Sequence, residues 1–403
     1  VVSSRTIIIA GAGIGGLTAA LALARRGLCV RVLEQATRLE ETGAGLQLSP
    51  NATRVLIELG LEERLRPRVV APEAIRVRKA VTGRDLARLP VGRAQQYYGA
   101  PYWVIHRGDL QAALLAAVSD HADVTIELGT RVQLFEANPK GVEVSYLRNS
   151  GTGDATGMGF VGADGLWSAA RACLGDRSRP QSARRTAWRA LVPAEAVPAE
   201  FREPVVNLWI GSEAHIVHYP VRAGAAINIV AIAADAWEGT GWSTRSDHDE
   251  LLMHFREKDW AHPVRTLLAK PDQWLKWALY DRPPLYRWGR GAATLLGDAA
   301  HPMLPFLAQG AAMAIEDAAV LADALVHVTG GPAAAMRHYE EQRRRRTARM
   351  QAAARTNGQM YHLSGLAAVV RDLAMRTILS GELMLRRYDW IYDWRPPGPS
   401  ARS

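Results

Sequence analysis

Thr6-Ile-Ile-Ile-Ala10 is continuously apolar and β-branched, the pattern of a short strand buried on both faces. Leu17-Thr-Ala-Ala-Leu-Ala-Leu-Ala24 follows as a helix, closed by Arg25, Arg26 and the C-terminal Gly27. A second strand, Cys29-Val-Arg-Val-Leu33, ends at Glu34. Two later apolar runs, Phe160-Val161 and Thr294-Leu-Leu296, also end in glycine-containing turns. Between them the pattern becomes that of a strand-rich layer over 186–286, with strands predicted at Trp188–Val192, Val205–Ile210, Ala214–Pro220 and Ala226–Ile232. The segment 72–103 is its expected shorter partner. A long helical run is predicted over Met313–Val328, and another helix around Tyr339–Met360.

The first strand, helix and second strand frame Gly11-Ala-Gly13-Ile-Gly15-Gly16. Each glycine has a physical reason: Gly11 makes the tight turn, Gly13 lacks the Cβ that would block a pyrophosphate, and Gly16 lets helix and strand pack closely. The helix N-terminus offers free N–H groups and a positive dipole end to phosphates. Glu34 stands where a carboxylate accepts from adenosine ribose hydroxyls. This is a dinucleotide site, and by itself it does not choose between NAD and FAD. A single copy argues against separate domains for two dinucleotides.

Composition narrows the classes. With 403 residues, 48% hydrophobic and 22% charged, the chain suits an ordinary globular protein of two interlocked domains, or of one large domain with a cap. The opening runs straight into a strand, so no cleaved signal peptide is expected, and no long apolar stretch predicts membrane insertion. Cys29 and Cys173 belong to no CxxC motif and are expected as reduced core thiols of a cytoplasmic protein. The net charge of +9 comes from scattered basic residues, which excludes a nucleic-acid partner as the default and suits anionic ligands. The one dense run, Arg343–Arg346 behind Glu340 and Glu341, reads as a solvated helix face. The histidines and cysteines form no chelating pattern, so no metal is expected.

Two further segments carry the decision: Gly162-Ala-Asp164-Gly165 with Ser168 and Arg171, and Gly297-Asp298-Ala-Ala-His301-Pro302-Met-Leu-Pro305-Phe-Leu-Ala-Gln309-Gly310. Together with the glycine loop, in this order and spacing, they resemble the single-component flavoprotein aromatic hydroxylases. The similarity is strongest to the salicylate, 3-hydroxybenzoate and 6-hydroxynicotinate branch. It is carried by Gly43-Ala-Gly-Leu-Gln47-Leu-Ser-Pro-Asn51, Ile105-His-Arg107-Gly-Asp-Leu110 and Tyr388-Asp-Trp-Ile-Tyr392.

The resemblance implies a Rossmann-like α/β FAD-binding fold interleaved with a strand-rich substrate layer and a helical C-terminal region. The expected division is FAD-binding over 1–71, 104–185 and 287–330, substrate layer over 72–103 and 186–286, and C-terminal helices over 331–403. It also implies FAD as cofactor, NAD(P)H as co-substrate and O2 activation through a flavin C4a-hydroperoxide. Asp298 is then expected on the ribityl chain, as a buried carboxylate needing partners, Arg107 on the pyrophosphate, and Asp164 near the flavin and NAD(P)H. Pro305 keeps its segment out of a helix so that it lines the ring. The N–H groups of Gly310 and Ala311, at a helix N-terminus, are placed to stabilise negative charge on reduced flavin. His301 is expected to be structural.

Strand geometry sorts the substrate face. Residues 215, 217 and 219 share one side of a strand and 216 and 218 the other, with His215 and Tyr219 about 13 Å apart at about 3.3 Å per residue. In the family, a His and a Tyr four apart on this strand contact substrate, so His215 and Tyr219 are the expected pair and His218 points away. An electrophilic oxygen donor needs an electron-rich ring, and an imidazole of ordinary pKa ~6.5 suits removal of a phenol proton. Tyr219 and Gln309 are expected to orient the phenol or carboxylate, with Gln47 as a further candidate.

The function implied is monooxygenation of a small phenolic or hydroxylated heteroaromatic acid, by a protein whose family members are often homodimers. Rivals are an FAD-dependent epoxidase or tailoring oxygenase on a larger natural product, a non-catalytic flavin-binding regulatory protein, and an NAD-dependent dehydrogenase.

Overall fold

The computed structural model describes residues 5–39, 44–148, 151–239, 244–377 and 381–397; Gly43 of the third motif lies outside them. Five parallel strands form the first sheet, in the spatial order Ala293–Leu295, Gly159–Gly162, Thr6–Ala10, Cys29–Leu33, Val124–Glu127. The runs Thr6–Ala10, Gly159–Gly162 and Ala293–Leu295 are buried almost throughout, as continuous apolar strands covered on both faces are, whereas the edge strand Val124–Glu127 is partly exposed. The helices Ile14–Ala24, Arg107–Ser119 and Gly310–His327 pack with this sheet into one core, in which Ile7, Ile8 and Ile9 have no solvent exposure. Three carboxyl ends of these strands carry the three motifs, so sheet topology gathers segments separated by more than a hundred residues.

The second sheet has eight strands, in the order Thr244–Ser246, Trp274–Asp281, Gln181–Pro193, Ala226–Ala234, Ala214–Val221, Val205–Ile210, Ala74–Lys79, Asp85–Leu89. Neighbours run antiparallel except Val205–Ile210 with Ala74–Lys79, which are parallel. Alternation along these strands separates two faces. Ile216, Ile227, Ile229 and Ala231 pack outward with Trp188 and Trp209 under the short helices His248–His254 and His262–Leu268. The opposite face looks onto the first sheet.

The long helix Gly331–Tyr361 and the shorter Gly365–Thr377 and Glu382–Arg386 follow. Here one expectation is overturned. Arg343 is buried and Arg346 is nearly so, rather than forming a solvated face with Arg344 and Arg345. They lie three apart on one side of the helix, where Glu316 and Asp317 neutralise them. The cysteines also differ from expectation: both are half-buried thiols rather than core residues. Among the described residues no helix is long and apolar enough to cross a membrane.

Candidate active site

A cleft of about 1060 Å³ runs between the two sheets, from the glycine loop at one end to His215 and Tyr219 at the other. The loop's glycines now separate by cause. Gly11 has φ +102°, and a Cβ there would meet the Ala163 carbonyl oxygen at 2.5 Å; one on Gly16 would meet the Gly11 carbonyl oxygen at 2.0 Å. Both are required by the chain's own packing. A Cβ on Gly13 would meet nothing within 4 Å, and Gly13 lines the cleft. Its reason lies in whatever occupies the cleft.

Glu34, at the end of its strand, accepts from the Ala12 N–H at 2.6 Å and the Ala36 N–H at 2.8 Å while lining the cleft. Two carboxylate oxygens hold about four lone-pair sites, so capacity for ribose hydroxyls remains. Arg107 lines the cleft from the first residue of its helix. One turn on, Gln111 donates to the Ala12 carbonyl at 3.0 Å and fixes the glycine loop. Sequence reasoning missed Gln111, although its i+4 spacing from Arg107 is the available signal.

Asp298 was expected to be buried; it is instead open to the cleft. The glycine turn Gly297, at φ +62°, carries it off the strand end and away from the packed core. Surrounding protein mass pushes its carboxyl up, against the pull of His301 and Arg107. A carboxylate so placed suits hydroxyl donors from a ligand. Asp164 also lines the cleft, but its oxygens accept from Ser168 Oγ at 2.5 Å and the Ala170 N–H at 3.0 Å, at the start of the short helix Ala169–Cys173 that Ser168 caps. Burial pushes its carboxyl up as well.

Pro305 opens a single turn, Pro305–Leu307, and Ala308 follows at φ +52°, a left-handed conformation costly for a residue with a Cβ. That turn presents Pro305, Ala308, Gly310 and Ala311 to the cleft, at the start of the helix Gly310–His327. Gln309 behaves differently. Its amide nitrogen donates to Ser49 Oγ at 2.8 Å and its carbonyl oxygen accepts from Asn51 at 3.2 Å, and it does not line the cleft.

At the far end, His215, Val217 and Tyr219 face the cleft, with Val230 and Ile232 from the neighbouring strand. Ile216 and His218 face the outer core, where His218 Nε2 accepts from Trp209 Nε1 at 3.0 Å. His215 is buried, and its Nδ1 lies 2.8 Å from Nε2 of His362. His362 is separated from it by 147 positions, and no local pattern announces it. Burial holds the His215 imidazole well below its ordinary range, with the nearby His362 adding to the effect. Burial likewise pushes the Tyr219 phenol up. Gln47 lines the cleft and accepts from the Tyr102 hydroxyl at 2.7 Å. A second, largely apolar cavity of about 510 Å³ adjoins through Gln47, His215, Val217 and Pro305, walled by Tyr102, Phe306, Tyr361 and the C-terminal helices.

The site therefore offers an elongated cradle with N–H donors at two helix starts, a carboxylate with spare acceptor capacity at Glu34, a second carboxylate open to the cleft at Asp298, and an imidazole at its end. These residues fit an elongated dinucleotide. The comparisons agree. A family model described as "FAD binding domain" matches residues 4–355. The chain is 36% identical to the 3-hydroxybenzoate 6-hydroxylase of Klebsiella oxytoca, over 96% of each. It is 38% identical to a 3-amino-4-hydroxybenzoate 2-monooxygenase of Streptomyces platensis, over 98% of each. Among solved structures, Klebsiella pneumoniae HpxO complexed with FAD and uric acid matches with a TM-score of 0.82 and 26% identity, covering 96% of both chains. FAD is the cofactor this cleft accommodates.

Proposed function

Since this chain belongs to the FAD-binding-domain family and is an FAD-dependent aromatic-ring monooxygenase, we propose that it hydroxylates a small phenolic or hydroxylated heteroaromatic acid, with NAD(P)H as reductant. The observation that carries this reading is the placement of His215: an imidazole held neutral by burial, facing the cleft across from the Gly310 helix start. When bound, FAD supplies electrons from NAD(P)H to O2 and delivers one oxygen atom to the substrate ring.

The protein's own residues prepare both partners. Gly13, Glu34, Arg107 and Asp298 line the cleft and would hold the cofactor there, on a turn whose close packing Gly11 and Gly16 permit. The free N–H groups of Gly310 and Ala311 present a positive dipole end where the reduced ring carries negative charge. A neutral His215 takes the phenol proton, which raises ring electron density at the ortho and para carbons. Tyr219, kept protonated by burial, orients the substrate as a hydrogen-bond donor, and Gln47 fixes the wall opposite through Tyr102. Gln309 acts from behind the wall, holding the turn that presents Gly310.

A second reading, an oxygenase acting on a larger aromatic substrate, draws support from one observation. The apolar cavity of about 510 Å³ beyond His215 exceeds the needs of a single ring. One experiment tests both: NAD(P)H oxidation by the FAD-loaded protein across hydroxybenzoates, hydroxynicotinates and ring-substituted longer analogues, with products identified. Hydroxylated products from the small acids support the first reading. Turnover confined to the longer analogues replaces it with the second. Cofactor oxidation with no organic product from any compound overturns both.

A further inference from the structure

We propose that His362 is the positioning residue for His215: it accepts the His215 Nδ1–H and thereby keeps the Nε2 lone pair turned to the cleft. This rests on the reading of the cleft as that of a phenol hydroxylase, and it adds a second imidazole to it.

The geometry sets the argument. A neutral imidazole carries one hydrogen, so one ring nitrogen donates and the other accepts. His215 Nδ1 and His362 Nε2 are 2.8 Å apart, which requires a hydrogen on one of the two. If His362 supplied it, His215 would present an N–H to the cleft and would have no lone pair for a phenol proton. If His215 supplies it, Nε2 is a base. The role of His215 as the phenol base requires the second arrangement, with the hydrogen of His362 on Nδ1. The His362 Nδ1 is buried without a hydrogen-bond partner in direct geometry among the described residues. The Gly358 carbonyl, one helical turn earlier, favours a proton on this ring. With the hydrogen on Nδ1, His362 Nε2 is left as an acceptor and His215 must donate.

Both rings are clamped in this relation. His215 sits against Phe306 with centroids 5.5 Å apart, against Tyr361 at 5.6 Å and against His362 at 4.9 Å; Phe306 also packs edge-on to His362 at 5.6 Å. Phe306 belongs to the turn that presents Gly310, so the same element sets the cofactor end and the base. The charged groups bearing on the pair are Arg185, from the neighbouring sheet strand Gln181–Pro193, and Arg371, from the helix Gly365–Thr377. Both are cations, and with burial they disfavour a proton on either ring, pushing His362 down to about 3. The pair is thus neutral at rest.

The proton step balances simply. The phenol O–H bond breaks, an N–H bond forms at His215 Nε2, and the electron pair stays on oxygen as phenolate. The new positive charge lies on His215 and is shared across the hydrogen bond to His362 Nε2. The phenolate is its counter-charge.

The test uses the full-length, FAD-loaded protein with His362→Leu, His362→Gln and His215→Ala. Ring nitrogens of 15N-histidine report the tautomer without substrate; 3-hydroxybenzoate, read by its phenolate absorbance across pH, reports ionisation of the bound phenol. We expect an Nδ1–H tautomer on wild-type His215. We expect the bound phenol to ionise below its free value of ~10, and at a pH at least one unit higher in His362→Leu. His362→Gln, whose amide oxygen can accept from Nδ1–H, is expected to recover most of that shift. An Nε2–H tautomer in the wild-type protein overturns the inference, as does a His362→Leu pH profile identical to wild type. Equal impairment in Gln and Leu variants also overturns it, making His362 a packing residue. Failure of the broader reading looks different: the Nδ1–H tautomer is present, yet neither wild type nor any variant binds or hydroxylates the phenol.

Discussion

Two buried polar regions flank the same helix start, and they are built oppositely. Behind the cleft, Arg343 pairs with Glu316 and Asp317 at 2.6 Å each, and Arg346 reaches Glu316 at 2.7 Å. Asn51 donates to Glu316 at 2.6 Å, the Gly297 N–H donates to Asp317 at 3.0 Å, and His301 completes the set at 2.5 Å from Asp317. Two cations meet two carboxylates, and every carboxylate oxygen has a partner, although His301 Nδ1 is left without one in direct geometry among the described residues. On the substrate side, His362 Nδ1 and Asn228 Nδ2 are buried without partners, and Tyr219 and His215 face open space. Saturation marks a scaffold, because a filled hydrogen-bonding set has nothing left for a ligand. Spare valence beside a cavity marks the place where a ligand's polar groups complete the set.

The sharpest way to break this contrast is Arg343→Met. It leaves Glu316 and Asp317 buried with less compensation, and the expected loss is about 3–5 kcal/mol of stability. Thermal unfolding and flavin retention measure it; a melting temperature within a degree of wild type would refute the scaffold role. His215→Ala is expected to do the reverse, with folding intact, hydroxylation slowed by about 100-fold or more, and more peroxide released per NAD(P)H consumed. His218→Ala, on the outer face of the same strand, is the control and is expected to leave coupling intact. Should the two variants lose coupling equally, the strand-face assignment fails.

Asp298→Ala is expected to weaken FAD binding by about 10- to 100-fold, as loss of hydrogen bonds to a charged group implies, while the apoprotein's unfolding temperature holds. Unchanged flavin affinity on titration would remove Asp298 from the cofactor site. The smallest expected effect is in pH. His215, His218 and His362 have folded pKa values below the unfolded value of about 6.5. Between those limits the unfolded chain binds more protons, so stability falls as pH drops below about 6.5. Asp317, held down to about 2 mainly by His301 and Arg343 against the effect of burial, adds a separate loss between about pH 4 and 2. Denaturant unfolding across pH should show the first loss diminished in a His215→Ala, His362→Leu double variant and the second unchanged.

The cofactor half of the site was legible because its determinants are local. A strand, a glycine turn, a helix start and an acid within thirty residues are fixed by backbone geometry, so Gly11, Gly16 and Glu34 stand where the spacing puts them. The period of two along Ala214–Val221 likewise separated His215 and Tyr219 from His218, since pleating alone decides the face. The run Arg343–Arg346 was misread because charge run alone predicts solvent; its carboxylate partners lie on another helix, 26 and 27 positions away from Arg343.

Short-range periodicity and turn chemistry in the sequence determined a dinucleotide-binding α/β fold and the side of the strand that faces the cleft, while the choice of FAD came from the resemblance carried by three separated motifs. Only the tertiary structure decided how the site is completed: Asp298 open to the cleft, Gln309 turned behind it, and His362 brought across 147 positions to His215. The physical reason is the range of the forces involved. Backbone hydrogen bonding and side-chain alternation act between neighbours, whereas a buried polar group takes whatever partner the packing of distant elements brings within 3 Å.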